Sequence, residues 1–582
     1  MVNIPLIPPC HNHNWFPRLL GNKFLAMNAL AFSIAYSSVF LFFGLDFTDS
    51  FFIVNSFGHN NDGPLWPLTS LIGEITQSIL GDKLIYFRII TRVSYFLAVA
   101  IPYVFLVRRP TAASNMFIAA ATLVTLNVTA SGIYGYSSMT LLFLSLSTTL
   151  IIRYFYSQQV QTLVLFGIVS AMAILVRFPN IVIVPISMCL IVANIYIDRY
   201  GQHKSHASFR AYFFHLSIFL FSLTFVYLLI LVLRYGSLTE YYDTFRSYLS
   251  VLQHDKSHGV MAIINRNLLE TVRLFEYIGL IALLVYTGTV KERLPKPLYI
   301  IYRVLLLFVF SLFLYFDILH DTYTFNFSRL MTAAVFLLMW RATVNEVEKG
   351  GWMTILALLA LLAFSFTPAI GSNTGLLKIA PLLIAFMPYI AEQCNMDTQQ
   401  QSRIGYIILL GIFAIPLKTI SIYEDSPVFR LTQSPKSQLL THIRTTPIRA
   451  NFVDDVISVY NGEKRQNQEV MFFGKMAHVF TYLTKQEPLY RASFWMLPDD
   501  DIEVERAEHV LKRLRPVVFF LPEYPSDGTK EFKKALFANA VVKHGHPWPK
   551  PATVGVSGRQ PIYGPAFGTI PGSFRDSVWP RR

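Results

Sequence analysis

The chain is poor in charge and in cysteine. Asp, Glu, Lys and Arg make up 14% of its 582 residues, against 53% hydrophobic residues. Soluble domains carry about 25% charged residues, so this deficit excludes a disordered chain, a coiled coil and an ordinary set of soluble domains. The three cysteines, Cys10, Cys189 and Cys394, stand far apart and suggest neither a disulfide framework nor a metal site. There is no Walker loop, no HExxH, no GxSxG and no CxxC, so ATP-driven transport by this chain alone has no support. Repeated Arg or acids do not dominate the apolar segments, which argues against a voltage sensor or a proton pump. The net charge of +14 does not call for nucleic acid. Much of the excess lies in short loops between apolar runs, where Lys and Arg set membrane topology.

What is present is a long apolar part followed by a smaller polar one. Residues 1–422 hold 45 of the 84 charged residues and residues 423–582 hold the other 39. A membrane helix needs about 20 mostly apolar residues. Thirteen candidates fit, at 24–44, 84–107, 114–133, 137–155, 160–177, 179–197, 211–234, 276–290, 298–318, 328–345, 351–369, 376–394 and 403–422. The first is too long for a signal-peptide core and lacks a small-residue cleavage site, so it is expected to stay as an anchor. With the N-terminus in the cytoplasm, inside loops carry Arg18 and Lys23, Arg108 and Arg109, then Arg199, Lys204 and Arg210, then Lys291, Arg293 and Lys296. The outside turns at 132–137 and 369–375 carry no Lys or Arg.

An odd number of spans puts residues 423–582 outside the cytoplasm. There, Val470–Phe473 and Val517–Leu521 read as buried strands. Glu503–Leu514 between them has helical spacing, with Asp499–Asp501 suited to its N-terminus. The expected fold is thus an α-helical polytopic membrane protein of about thirteen transmembrane helices. A small extracytoplasmic α/β domain follows at 423–582 and ends in an irregular tail rich in Pro and Gly.

The outside loops hold the polar residues that chemistry would use. In the first, at 45–83, Asp46 and Asp49 follow span one at i,i+3 spacing, one helix face if the stretch is helical. A carboxylate at a membrane boundary accepts a proton from a hydroxyl in a water-poor cleft, although for an isolated pair two solvated acids or a helix cap is the better explanation. Trp66-Pro67-Leu68 and Leu71-Ile72 suit a short amphipathic segment on the membrane surface. Arg88 and Arg92 lie one helical turn apart at the start of span two, facing either a protein interior or, by snorkelling, outer head groups. Arg177-Phe178-Pro179-Asn180 joins spans five and six. The long loop at 235–275 carries Tyr241, Tyr242, His254, Lys256, His258 and Arg266, polar groups suited to a lid over an anionic head group. Its histidines lack a zinc spacing. Asp317, His320 and Asp321 cluster on the same side and read as structural. Pro368 to Gly375 forms a small-residue turn before Lys378.

Taken together these features resemble the GT-C superfamily of integral-membrane glycosyltransferases, which includes protein O-mannosyltransferases, aminoarabinose transferases and the oligosaccharyltransferase catalytic subunit. The resemblance rests on Thr48-Asp49-Ser50-Phe51-Phe52 after span one, Tyr86-Phe87-Arg88 at span two and Tyr134-Gly135-Tyr136 before span four. It rests also on Arg177-Phe178-Pro179, Ile370-Gly371-Ser372-Asn373, Phe472-Phe473-Gly474 and Tyr482-Leu483-Thr484. The second acid of the usual Asp-Glu pair is replaced by Ser50, which leaves Asp46 as a possible partner of Asp49.

The resemblance implies transfer of a hexosyl or pentosyl group from a polyprenyl-phosphate sugar to an acceptor hydroxyl on a lipid, glycan or protein, on the extracytoplasmic side and with inversion. Asp49 would be the base, with Asp46 as second choice or orienting partner. Arg88, with Arg177, Lys256, Lys378 and His258, would hold the donor phosphate. A hydroxyl is a poor nucleophile without a base, and the leaving phosphate needs a fixed cation. One charge pair at about 4 Å is worth roughly 4 kcal/mol at an intermediate effective dielectric. That is several hundred-fold to about a thousand-fold in rate if realised only in the transition state. No cofactor is implied, and a divalent metal is not required. The expected setting is a bacterial inner membrane.

Other readings fit parts of the pattern. A lipid-linked glycan transporter or flippase would share the outside cations but should show repeated halves and broken helices. A glycan polymerase or ligase shares the chemistry but tends to place its large loop between late spans. A non-enzymatic scaffold would tolerate replacement of both acids.

Overall fold

The protein is described from a computed structural model, which defines residues 23–45, 49–55, 57, 65–108, 117–123, 125, 135–201, 209–252, 260–285, 295–313, 325–369, 379–394, 428–463, 470–473, 477–486 and 517–520. The chain divides into two compact units. One comprises Met1–Leu41 and Ser56–Tyr423, the other Phe42–Asn55 and Glu424–Arg582.

The regular elements described in the larger unit are all helices. It contains α1 (Lys23–Val39), then α3 (Pro67–Leu80), α4 (Leu84–Leu106), α5 (Tyr136–Ser157), α6 (Val160–Val176), α7 (Ile183–Gly201) and α8 (Phe209–Tyr235). It continues with α9 (Leu238–Leu252), α10 (Val260–Val285), α11 (Lys296–Phe313), α12 (Phe325–Lys349), α13 (Trp352–Phe366), α14 (Ala380–Ala385) and α15 (Met387–Gln393). Six stretches among the described residues are long and apolar enough to cross a membrane: Leu84–Leu106, Tyr136–Ser157, Phe178–Ile197, Arg210–Tyr235, Arg329–Lys349 and Trp352–Ala369. Met27–Phe42 and Val160–Val176 are apolar but shorter. The chain is a helical, multi-pass membrane protein. Of the thirteen segments read from hydropathy, 403–422 lies outside the described residues, and 114–133, 276–290, 298–318 and 376–394 are described only in part.

Local chemistry explains the helix ends. Gln158, in the left-handed region at φ 54°, closes α5 and leaves a two-residue turn into α6. Gly236 at φ 74° lets α8 break sharply into α9, in a region that costs a side chain but not glycine. Pro388 has no N–H to give the preceding turn, and the apolar stretch at 376–394 is correspondingly interrupted at Phe386, between α14 and α15. The helices meet around stacked rings, with Phe166 5.1 Å from Phe219 and 6.2 Å from Phe364.

One reading needs correction. The stretch at 235–275 is not an open loop, because α9 and the first part of α10 occupy most of it. Arg266, Glu270, Arg273 and Glu276 lower the hydropathy of α10, yet Glu270 and Arg273 among them are paired. Arg329 of α12 donates from Nε and Nη2 to the Glu270 carboxylate, both at 2.8 Å, and Arg273 reaches the same carboxylate at 3.4 Å.

In the smaller unit, α2 (Asp49–Asn55) precedes α16 (Pro447–Glu463), β1 (Val470–Phe473), α17 (Ala477–Thr484) and β2 (Val517–Phe520). β1 and β2 pair in parallel, with Val470 opposite Val517 and Phe473 opposite Phe520. A parallel pair needs a crossover of a dozen or more residues. The expected crossover helix at Glu503–Leu514 and the Pro- and Gly-rich tail lie outside the described residues.

Candidate functional site

Helix ends of the larger unit collect into two polar clusters. Arg177 caps the end of α6. It donates from Nη1 to the Pro368 carbonyl just past α13, at 2.8 Å, and its guanidinium lies 5.7 Å from the centre of the Tyr136 ring at the start of α5. Trp66 packs on Tyr136 with ring centres 5.6 Å apart. The Phe178 N–H donates to Leu65 O at 2.8 Å, and Thr69 Oγ1 donates to Val176 O at 3.1 Å. This end is the one that charge bias assigns to the outside.

The opposite cluster gathers the other helix ends. The Arg108 backbone N–H donates to the Glu392 carboxylate at 3.1–3.2 Å, and the Arg108 guanidinium lies 4.9 Å from the Tyr156 ring centre. The Tyr156 hydroxyl pairs with Thr354 Oγ1 at 3.2 Å and with the Tyr389 hydroxyl at 3.4 Å.

At the first end, α3 forms the amphipathic segment expected at Trp66–Ile72. Pro67 at its start and Gly81 at its end bound it. Pro67, Leu68, Thr69, Ser70, Gly73 and Thr76 are buried against the helices, while Ile75, Ile79 and Leu80 are exposed. That apolar outer face suits a helix lying in the bilayer interface. Glu74, its one charged residue, takes a two-pronged ion pair from Arg234 at the end of α8. Beyond Gly236, Tyr241 lies 5.1 Å from Tyr235, Phe245 lies 5.7 Å from Tyr241, and Phe178 stands edge-on to Phe245 at 5.0 Å. The Tyr241 phenol is held well above its ordinary value by burial, with the Tyr227 hydroxyl adding to it. It therefore stays neutral and acts as a hydrogen-bonding group.

Arg88 and Arg92 sit four and eight residues into α4, about 6 and 12 Å past its start at 1.5 Å per residue. Arg88 is buried and donates from Nη1 to Leu41 O at 2.9 Å. Arg92 Nε and Nη1 are also buried, with no hydrogen-bond partner among the described residues. Both guanidiniums therefore lean into the protein rather than out to head groups. A cation held so far into a membrane helix is costly and calls for an anion or a polar cavity.

The candidate acids fall in the smaller unit. Asp49 is the first residue of α2; Asp46 lies outside the described residues, as do Lys256, His258, Lys378, Asp317, His320 and Asp321. The segment before Asp46 is fixed by its own unit. The Gly44 N–H donates to Arg444 O at 2.8 Å, and the Arg444 N–H donates to Phe42 O at 2.7 Å. Arg449 donates from Nη1 to Leu45 O at 2.8 Å. After Asp49, Phe51 is fully buried with its ring centre 5.3 Å from that of Tyr482, and Asn55 donates to the His478 carbonyl.

The structure thus joins Arg177 to Tyr136 and Pro368, and puts Arg88 one turn from Arg92. Sequence reasoning missed the roles of Glu74, Arg234 and Arg449. Glu74 and Arg234 carried a weak signal, a lone acid in an amphipathic stretch and a base closing an apolar run. Nothing in the sequence links Arg449 to Leu45, 404 positions away. No family model and no curated protein matches the chain.

Proposed function

We propose that the protein is a membrane glycosyltransferase that moves a sugar from a polyprenyl-phosphate donor to an acceptor hydroxyl on the extracytoplasmic side of a bacterial inner membrane. The observation that carries this reading is the pair of inward-leaning guanidiniums, Arg88 and Arg92, on adjacent turns of a membrane-crossing helix. They supply the fixed positive charge that a departing lipid phosphate needs. Exposed apolar side chains along α8, α10 and α11 supply surface for a long lipid tail. Asp49 takes the acceptor proton, with Asp46 as its alternative. Arg88 and Arg177 hold phosphate, assisted by Lys256, Lys378 and His258, and the reaction needs no cofactor or divalent metal. The reading keeps thirteen spans, a cytoplasmic N-terminus and an α/β C-terminal domain.

The flippase reading requires broken helices at mid-membrane. The interruption at Phe386 has a sufficient cause in Pro388 and does not favour it.

The test uses the protein in lipid nanodiscs with a panel of polyprenyl-phosphate sugars, measuring acceptor-dependent release of polyprenyl phosphate. Wild type should release it, with chelator present or absent, and Asp49→Asn should not. Transfer by Asp49→Asn together with an inactive Asp46→Asn moves the base to Asp46. Full activity in both variants removes the carboxylate mechanism. Arg88→Gln should raise the donor KM and lower kcat. No release across a broad donor and acceptor panel would put the flippase reading ahead.

A further inference from the structure

The segment that carries the candidate acids does not belong to the membrane unit. Residues 42–55 fold with the C-terminal unit, although residues 56–423 separate the two along the chain. They are held there on both sides of Asp46 and Asp49. Upstream, Phe43 and Arg444 form a parallel β-bridge, closed by the Gly44 N–H to Arg444 O and the Arg444 N–H to Phe42 O. Gly44 then turns at φ 85°, and Leu45, fully buried, receives the Arg449 guanidinium on its carbonyl. Downstream, Phe51, Ile53 and Val54 are buried as α2 packs on α17.

We propose that the C-terminal unit is the mount of the catalytic acid, and that Arg449 is a positioning residue acting through the Leu45 carbonyl. The inference rests on the glycosyltransferase reading for the role of the acid. The packing of the segment is independent of that reading. A base must sit within about 0.5 Å of its productive place, and a misplacement of about 1 Å costs on the order of a hundredfold in rate. Leu45 immediately precedes Asp46 and stands four residues before Asp49, so a shift of its carbonyl passes directly to both. A charged donor on a carbonyl is stronger and more directional than a neutral one, and Arg449 is anchored in the first turn of α16.

Two measurements on the full chain in nanodiscs test this. The first uses whichever polyprenyl-phosphate sugar of the panel wild type turns over. Arg449→Ala should lower kcat at least tenfold with the donor KM within twofold, and Arg449→Lys should recover most of the rate, because an ammonium also donates to a carbonyl. An unchanged kcat in Arg449→Ala overturns the proposal. So does a loss in which the donor KM rises in step and Arg449→Lys fails equally.

The second places Phe43→Cys and Arg444→Cys in a background lacking Cys10, Cys189 and Cys394. Bridge partners stand about 4.8 Å apart, within disulfide reach. Mild oxidation should join the two positions in folded protein. Absence of the cross-link overturns the mount and leaves the transferase reading standing. A cross-link in a protein that turns over no donor removes the transferase reading, and the positioning role with it.

Discussion

Arg177 ties two helix ends together by donating from Nη1 to the Pro368 carbonyl at 2.8 Å while its guanidinium faces the Tyr136 ring. The bond joins the exit of α6 to the exit of α13, and Tyr136 adds the entry of α5. Arg177→Leu removes the donor and leaves a carbonyl in a water-poor place. The expected loss of stability is about 1–3 kcal/mol, read as a lower thermal midpoint in detergent. Arg177→Lys should fall between the two. Equal midpoints for wild type and Arg177→Leu would show that the contact contributes nothing.

The Glu74–Arg234 pair fastens the interfacial helix α3 to the end of α8, with Arg234 7% and Glu74 23% exposed. Removing one partner of a buried pair costs about 3–5 kcal/mol, because the other charge is left stranded. Partial exposure of Glu74 places Glu74→Gln toward the lower end of that range. The double variant Glu74→Gln/Arg234→Met should recover much of the loss, since no charge is then buried alone. A double variant no better than Glu74→Gln would mean that Arg234 is well solvated without its partner.

These contacts mark where the sequence was legible and where it was not. The spans at 84–107, 137–155 and 211–234 stand within a few residues of α4, α5 and α8 because uninterrupted apolar runs announce themselves. The strands at Val470 and Val517 are equally plain. α10 was hidden because hydropathy counts Arg266, Glu270, Arg273 and Glu276 one at a time. Their cost depends on pairing, and Arg329 lies 59 positions from Glu270. α9 was hidden because its ring-packed residues, Tyr241 and Phe245 among them, are interspersed with polar ones and never form an apolar run. The assignment of residues 42–55 to the C-terminal unit depends on backbone pairing with Arg444, which has no trace in local composition.

The close approach of α6 and α8 depends on Gly167. A Cβ there would meet the Ser222 hydroxyl and would come within 2.8 Å of Phe219 O. Small residues at such crossings let membrane helices pack backbone to backbone. Gly167→Ala should destabilise by about 1–3 kcal/mol through overpacking. Adding Ser222→Ala should restore only part, because the Phe219 carbonyl stays in place. Gly279→Ala in α10 is the control, since its Cβ meets nothing within 4 Å. There alanine should be neutral or stabilising by up to about 1 kcal/mol through helix propensity.

The two polar clusters predict a labelling pattern. Ser237 lies between α8 and α9, beside the cluster of Arg177 and Tyr136. Gln158 and Lys349 lie at the opposite ends, beside Tyr156 and Thr354. A membrane-impermeant maleimide applied to intact cells should modify Ser237→Cys and spare Gln158→Cys and Lys349→Cys. Inverted vesicles should reverse the result. The background lacks the three native cysteines, and Ser237 and Lys349 are exposed. Labelling of all three positions from one side would contradict the alternation of α5, α8 and α12. A pattern reversed throughout would keep the alternation and invert the orientation inferred from Arg108, Arg199 and Arg210. The Arg88–Arg92 pair would then begin at the cytoplasmic side, where an extracytoplasmic transfer reaction has no use for it.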